Sequence, residues 1–219
     1  MCMVKIAFLG DSITFGYALE NIEERYSTLI CKDLGAEEAN FGITGTLMAR
    51  AGMNRSNGRA FLDRIDLVMD ADFTVIFGGT NDYFWSDTPI GDINSDFDGF
   101  YRAVDEICRK CSENRDVKKT LIVTPYPHNG IGNFLGGKDH NDSSTHDTCE
   151  LNFNGHSLVD YVNVSEEIAG KYEIPVLNLH KAEGFDWKKH TLDGCHPNKE
   201  GHMWLAEKIK QEILKYEKI

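Results

Sequence analysis

The sequence predicts an α/β protein, a single three-layer αβα sandwich built around a five-stranded parallel sheet. Three observations carry that expectation. Five short apolar runs, at residues 4–9, 36–41, 73–77, 120–124 and 175–179, have the length of strands, and most have their β-branched or aromatic content. The segments between them mostly repeat apolar residues at helical spacing, and parallel strands need such crossovers, which are right-handed. A chain of 219 residues can bury one large core, and neither a linker nor an internal repeat divides this one, so residues 1–219 are expected to form one domain.

Taken in order, Val4, Ile6, Ala7, Phe8 and Leu9 make a strand buried on both faces, which Gly10-Asp11-Ser12 stops abruptly. Tyr26, Leu29, Ile30 and Leu34 then form a helix ended by Gly35. The weak second strand runs into Asn40-Phe41-Gly42-Ile43-Thr44-Gly45. Residues 46–69 read as helical but broken at Asn57-Gly58, which gives two short helices or one helix and a loop. Phe73 to Phe77 is the clearest strand, and it ends in Gly78-Gly79-Thr80-Asn81-Asp82; residues 86–95 read as loop. A helix over 96–112 carries the stripe Phe97, Phe100, Tyr101, Val104 and Ile107, which makes Cys108 and Cys111 small core residues of the same helix rather than a redox pair. Strand four stops at Pro125-Tyr126-Pro127.

Residues 126–156 are rich in Gly, Asn, Asp and Ser without periodicity, the pattern of a long loop insertion that can serve as a lid. Ser157 opens the next helix, with Asp160 placed for a capping box. The last helix starts at Asn198 as cap and buries His202, Leu205, Ala206, Ile209 and Ile213.

Composition excludes several functions. A formal net charge of −12 repels phosphate backbones, and no basic stripe offsets it, so no nucleic-acid partner is expected. No apolar run approaches the roughly 20 residues of a membrane span. The opening Met-Cys-Met-Val-Lys runs straight into a strand with no secretory pattern, so a cytoplasmic location and free thiols are expected. His128, Asp139, His140, Asp142, His146, Asp147, Cys149 and His156 supply possible ligands in the long loop, but their spacing matches no zinc pattern, and neither metal nor cofactor is expected. The turn at 10–16 also lacks the features of a nucleotide-binding loop.

If the first three strands are parallel neighbours, Ser12, Gly42 and Asn81 emerge on one edge of the sheet, the edge where open parallel sheets bind ligands. They offer a hydroxyl nucleophile, an unhindered backbone N–H and an amide donor. Asp193 and His196, three apart around Gly194, can pair so that one imidazole nitrogen is left to take a proton. Singly, each block also fits a plainer reading: a loop serine, a capping aspartate, a surface histidine.

In combination, GDSIT, NFGITG, GGTND and DGCHPN, in this order from Gly10 to Asn198, resemble the four blocks of the SGNH, or GDSL-type, hydrolases. The resemblance implies a flavodoxin-like fold and a carboxylic ester hydrolase. In it Ser12 is the nucleophile, His196 the base and Asp193 its orienter, while the N–H groups of Ser12 and Gly42 and the Asn81 amide form the oxyanion hole. Asp11 shapes the turn, and Cys195 is a packed residue whose thiol could sensitise the site to oxidation. The expected substrate is a small acyl ester such as an O-acetylated carbohydrate. Lysophospholipase or thioesterase activity on the same site, and a non-catalytic or metal-binding protein on this scaffold, are the alternatives. Oligomeric state is not legible in the sequence.

Overall fold

In the computed structural model, residues 3–50, 59–85, 89–128, 151–152 and 154–216 are described. Strands β1 (Lys5–Gly10), β2 (Glu37–Gly42), β3 (Phe73–Phe77), β4 (Thr120–Val123) and β5 (Val176–Leu177) pair in parallel throughout, in the order β2-β1-β3-β4-β5. This is the flavodoxin-like order, and it reverses direction between β1 and β3.

The period-two alternation of strand side chains feeds two cores. Ala7, Leu9, Ile76 and Ile122 join one of them, with helices α3 (Phe61–Arg64), α5 (Phe100–Asn114) and α6 (Leu158–Lys171). Ile6, Phe8, Phe73, Val75, Leu121 and Val123 join the other, where Tyr26 and Ile30 of α2 (Tyr26–Leu34) meet Leu205, Ile209 and Ile213 of α8 (Lys199–Tyr216). Helices on both faces of the sheet give the three layers. Because α8 packs on α2, the chain leaving β5 must travel back along the sheet before α8 begins.

Several boundaries differ from the sequence pattern for identifiable reasons. Residues 46–50 are not helical: the Met48 and Ala49 N–H groups donate to the Asp82 carboxylate, at 2.9 and 3.0 Å, instead of to a helix ladder. The helical segment before β3 is confined to α3 and a 3₁₀ turn, Ile65–Val68, while the Asn57-Gly58 break lies outside the described residues. A helix α4 (Thr80–Trp85) follows β3 directly, where the sequence showed only a polar strand end. The α5 helix starts at Phe100 because residues 97–99 form a turn, Gly99 N–H to Phe97 O, in which a Cβ on Gly99 would meet the Pro89 and Ile90 carbonyls. β5 is two residues long, paired only with Ile122 and Val123. The Ser157–Asp160 box forms: Ser157 N–H and Oγ–H both reach Asp160 Oδ2, at 2.7 and 2.9 Å. Most of the long loop, residues 129–150, lies outside the described residues, and with it six of its eight candidate ligands.

Candidate functional site

Ser12 is the first residue of a one-turn helix, α1 (Ser12–Phe15), seated on the carboxyl ends of β1 and β2. Two glycines allow that seat. A Cβ on Gly10 would collide with the Thr14 side chain, and one on Gly42 with the backbone of Thr14 and Phe15. The Asp11 side chain caps the turn by accepting from Ile13 N–H at 2.9 Å, and Asn40 Nδ2 ties the Thr14 carbonyl to β2 at 2.8 Å. Gly16, at φ +83°, closes α1, and the Tyr17 N–H bonds back to the Ser12 carbonyl at 2.9 Å.

Opposite Ser12 stands a second tight turn. Thr191 and Pro197 pair across it, and Leu192 N–H donates to His196 O at 2.8 Å. Gly194, at φ +91°, makes the bend that side chains resist. Asp193 Oδ1 accepts the Cys195 and His196 N–H groups at 3.0 and 2.7 Å, and Oδ2 lies 2.6 Å from His196 Nδ1. The other imidazole nitrogen, Nε2, is 3.1 Å from Ser12 Oγ. Partial burial pushes the Asp193 carboxyl up, but the hydrogen bonds from the imidazole and from the two N–H groups outweigh it and hold the group down at about 2. The Tyr17 ring lies against the imidazole, with centroids 4.6 Å apart.

The oxyanion donors read from the sequence need one correction. Gly42 does not present its N–H to this site: it donates to Asn40 Oδ1 at 2.9 Å, and Gly42 does not line the cavity. The glycine is there for the close approach of α1. The glycine that lines the cavity is Gly45, three residues on, at φ +74°. Among the described residues, no acceptor takes the N–H of Gly45 or of Ser12. Asn81, at the start of α4, does line the cavity, and its Nδ2 donates to Asp11 Oδ2 at 3.2 Å and to Thr46 O at 3.0 Å.

The cavity holds about 220 Å³, and Ser12, Gly45, Asn81, Asp193, Cys195 and His196 share its wall with Tyr17, Thr44, Thr80, Phe84 and Trp85. None of those last five, nor Gly45, was placed in the site from the sequence. Gly45 stood within the quoted NFGITG block, and the second glycine of a strand-end turn was the available signal. The Cys195 thiol is buried, and burial raises it well above its ordinary value, so it is held in the unreactive protonated form. Among the described residues no cluster of His, Cys, Asp and Glu is arranged to hold a metal ion, and no helix is long and apolar enough to cross a membrane.

Asp82 is fully buried beneath the site, and burial lifts it from an ordinary 3.8 to about 7, against the pull of the Met48 and Ala49 N–H groups. A folded-state value above the unfolded one means that the native state holds the proton more tightly. That stability is complete below about 3.8 and is lost as the pH rises through about 7. Asp82→Asn cannot titrate and gives up one of the two backbone bonds. Its stability deficit against wild type, measured from urea midpoints, should be largest near pH 5 and shrink by about 1–3 kcal/mol toward pH 8. A deficit constant over that range would show that Asp82 is ionised throughout.

The comparisons agree with this architecture. Among solved structures, a protein from Lactobacillus plantarum is 24% identical, with all of each chain covered and a TM-score of 0.79. The lipase/acylhydrolase from Enterococcus faecalis is 20% identical over 99% of this chain and 100% of its own, with a TM-score of 0.65. A two-domain esterase active on acetylated mannans is 20% identical, over 98% of this chain and 49% of its own, with a TM-score of 0.61. No curated protein matches. The family model for GDSL-like lipases/acylhydrolases matches residues 8–204, which take in the Ser12 turn, both glycine-bearing strand ends and the Asp193–His196 turn, and the chain belongs to that family.

Proposed function

We propose that this protein is a serine esterase that hydrolyses a small acyl ester through an acyl-serine intermediate. The observation that carries the reading is the unbroken relay from Asp193 Oδ2 to His196 Nδ1, at 2.6 Å, and from His196 Nε2 to Ser12 Oγ, at 3.1 Å. Both distances are hydrogen-bond distances of a nucleophile–base–orienter set. Asp193 keeps the ring proton on Nδ1, so Nε2 accepts the Ser12 proton as Oγ attacks the ester carbonyl. The carbonyl oxygen becomes an oxyanion facing the Ser12 and Gly45 N–H groups and the Asn81 amide. Asn81 can join only by releasing one of its present acceptors, and the longer bond, to Asp11, is the one that yields. The imidazolium returns its proton to the leaving alcohol. A water deprotonated by the same nitrogen then releases the acid.

A cavity of about 220 Å³, lined with both polar and aromatic side chains, suits a short acyl group on a polar alcohol better than a long chain. An O-acetylated carbohydrate fits that description, and the neighbour active on acetylated mannans lends the class support.

A panel of nitrophenyl esters from acetate to palmitate tests the reading. Acetate and butyrate should turn over fastest. Preference for palmitate would move the protein to the lipases. No hydrolysis of any ester, together with no labelling by a serine-directed phosphonate, would overturn esterase activity altogether.

A further inference from the structure

The mechanism above leaves one buried ionised group unused. Arg64 ends α3 with its side chain almost wholly enclosed, 6% exposed, and the face of the Phe61 ring lies 5.2 Å from its Cζ. Its Nε donates to Arg59 O at 2.8 Å and its Nη1 to Phe41 O. Its Nη2 donates to both Gly10 O, at 3.2 Å, and Thr46 Oγ1, at 3.0 Å. All four acceptors are neutral, and burial lowers the guanidinium only to about 10, so it stays charged at neutral pH. Enclosing such a charge is costly before its hydrogen bonds are counted.

What those bonds join is informative. Gly10 is the last residue of β1, two before the nucleophile. Phe41 lies at the end of β2, and Thr46 directly follows Gly45. The Thr46 carbonyl in turn accepts from Asn81 Nδ2 at 3.0 Å. One rigid, planar fork therefore joins the ends of β1 and β2, the segments that carry the Ser12 and Gly45 N–H groups, and reaches the Asn81 amide only through Thr46.

We propose that Arg64 is a positioning residue of the oxyanion site, holding the Gly10–Ser12 segment and the turn from Phe41 to Thr46 at the spacing that aims their N–H groups at one point. The proposal rests on the acyl-hydrolysis reading. A lysine keeps the charge and the apolar stem but is a single point donor, which cannot bridge carbonyls at several fixed angles. The donors engage a charge that develops only in the transition state, so loosening them should lower kcat and leave KM nearly alone.

The experiment measures kcat and KM on the fastest ester of the panel for wild type, Ser12→Ala, Arg64→Lys and Thr46→Val, each normalised to folded protein by circular dichroism. Arg64→Lys should lower kcat by about 30-fold or more, and Thr46→Val, which removes one acceptor of the fork together with the Thr46 Oγ–H bond to Ile43 O at 2.8 Å, by about 3- to 10-fold, with KM within about threefold in both. A role confined to stability would lower the melting temperature and leave kcat per folded molecule unchanged, and that result overturns the proposal. If Arg64→Lys does not fold, Thr46→Val decides: wild-type kcat in that variant overturns it equally. A wild type that hydrolyses no ester takes down the esterase reading and this proposal together, whereas an active wild type with a fully active Arg64→Lys takes down this one alone.

Discussion

Ser12→Ala is expected to lower ester hydrolysis by about 10⁴-fold or more while the fold stays intact. The hydroxyl makes one side-chain contact, with His196 Nε2, and the rest of the turn is built by other groups: the Asp11 cap, the Gly16 closure and the Asn40 tie to Thr14. Alanine is well suited to the first turn of a helix, so stability should change by no more than about 1 kcal/mol. What remains after removal of the oxygen is whatever the oxyanion donors do for a water attacking directly. The variant should also fail to take up a serine-directed phosphonate. Stoichiometric labelling of Ser12→Ala would mean that another residue is the nucleophile.

Asp193→Asn should lower kcat by about 10⁴-fold as well, and for a different reason. Asp193 uses its two oxygens separately. Oδ1 pins the turn by accepting two backbone N–H groups, and Oδ2 faces the imidazole. Asparagine can keep the first function with its carbonyl oxygen, so the turn and the position of His196 should survive. Its NH₂ group then points at Nδ1 and requires that nitrogen to accept. The ring proton moves to Nε2, the nitrogen that must take the proton from Ser12. Geometry is preserved and the tautomer is wrong. Proton NMR of the imidazole N–H region would show the change directly. If Asp193→Asn retains more than about a tenth of wild-type kcat, orientation by the carboxylate is not what the base requires.

How much of this was legible in the sequence depends on the range of the forces involved. The strands of the central sheet were readable because full burial on both faces demands unbroken apolar runs, as at Ile6 to Leu9 and Phe73 to Phe77. The Asp193–His196 turn and the Ser12 turn were readable because each is closed by contacts within a few residues. The assignment to Gly42 failed on the same ground. Two glycines three apart in one turn sit differently, Gly42 under α1 and Gly45 on the cavity wall where we propose its N–H acts, and only the position of α1 tells them apart. Of the two readings left open for residues 46–69, one helix and a loop is the one that holds, because Asp82, more than thirty residues away, claims the Met48 and Ala49 N–H groups, a competition that local periodicity does not record. Arg64 gave no signal at all. An arginine in a short helix reads as solvated surface until the strand ends it bridges are brought beside it.

The pairing of Ser12 with His196 has a consequence for how the protein is made. The two residues are 184 positions apart, and His196 is brought over Ser12 by the docking of α8 on α2. A nascent chain leaving the ribosome presents β1 to β4, the Ser12 turn and Asn81 while His196 is still unsynthesised or held in the exit tunnel. Such a chain carries Ser12 without the imidazole that stands 3.1 Å from its Oγ in the folded protein. On the acyl-hydrolysis reading proposed above, hydrolytic competence therefore waits for the last part of the chain, and a chain stalled before His196 should be silent toward esters in its surroundings.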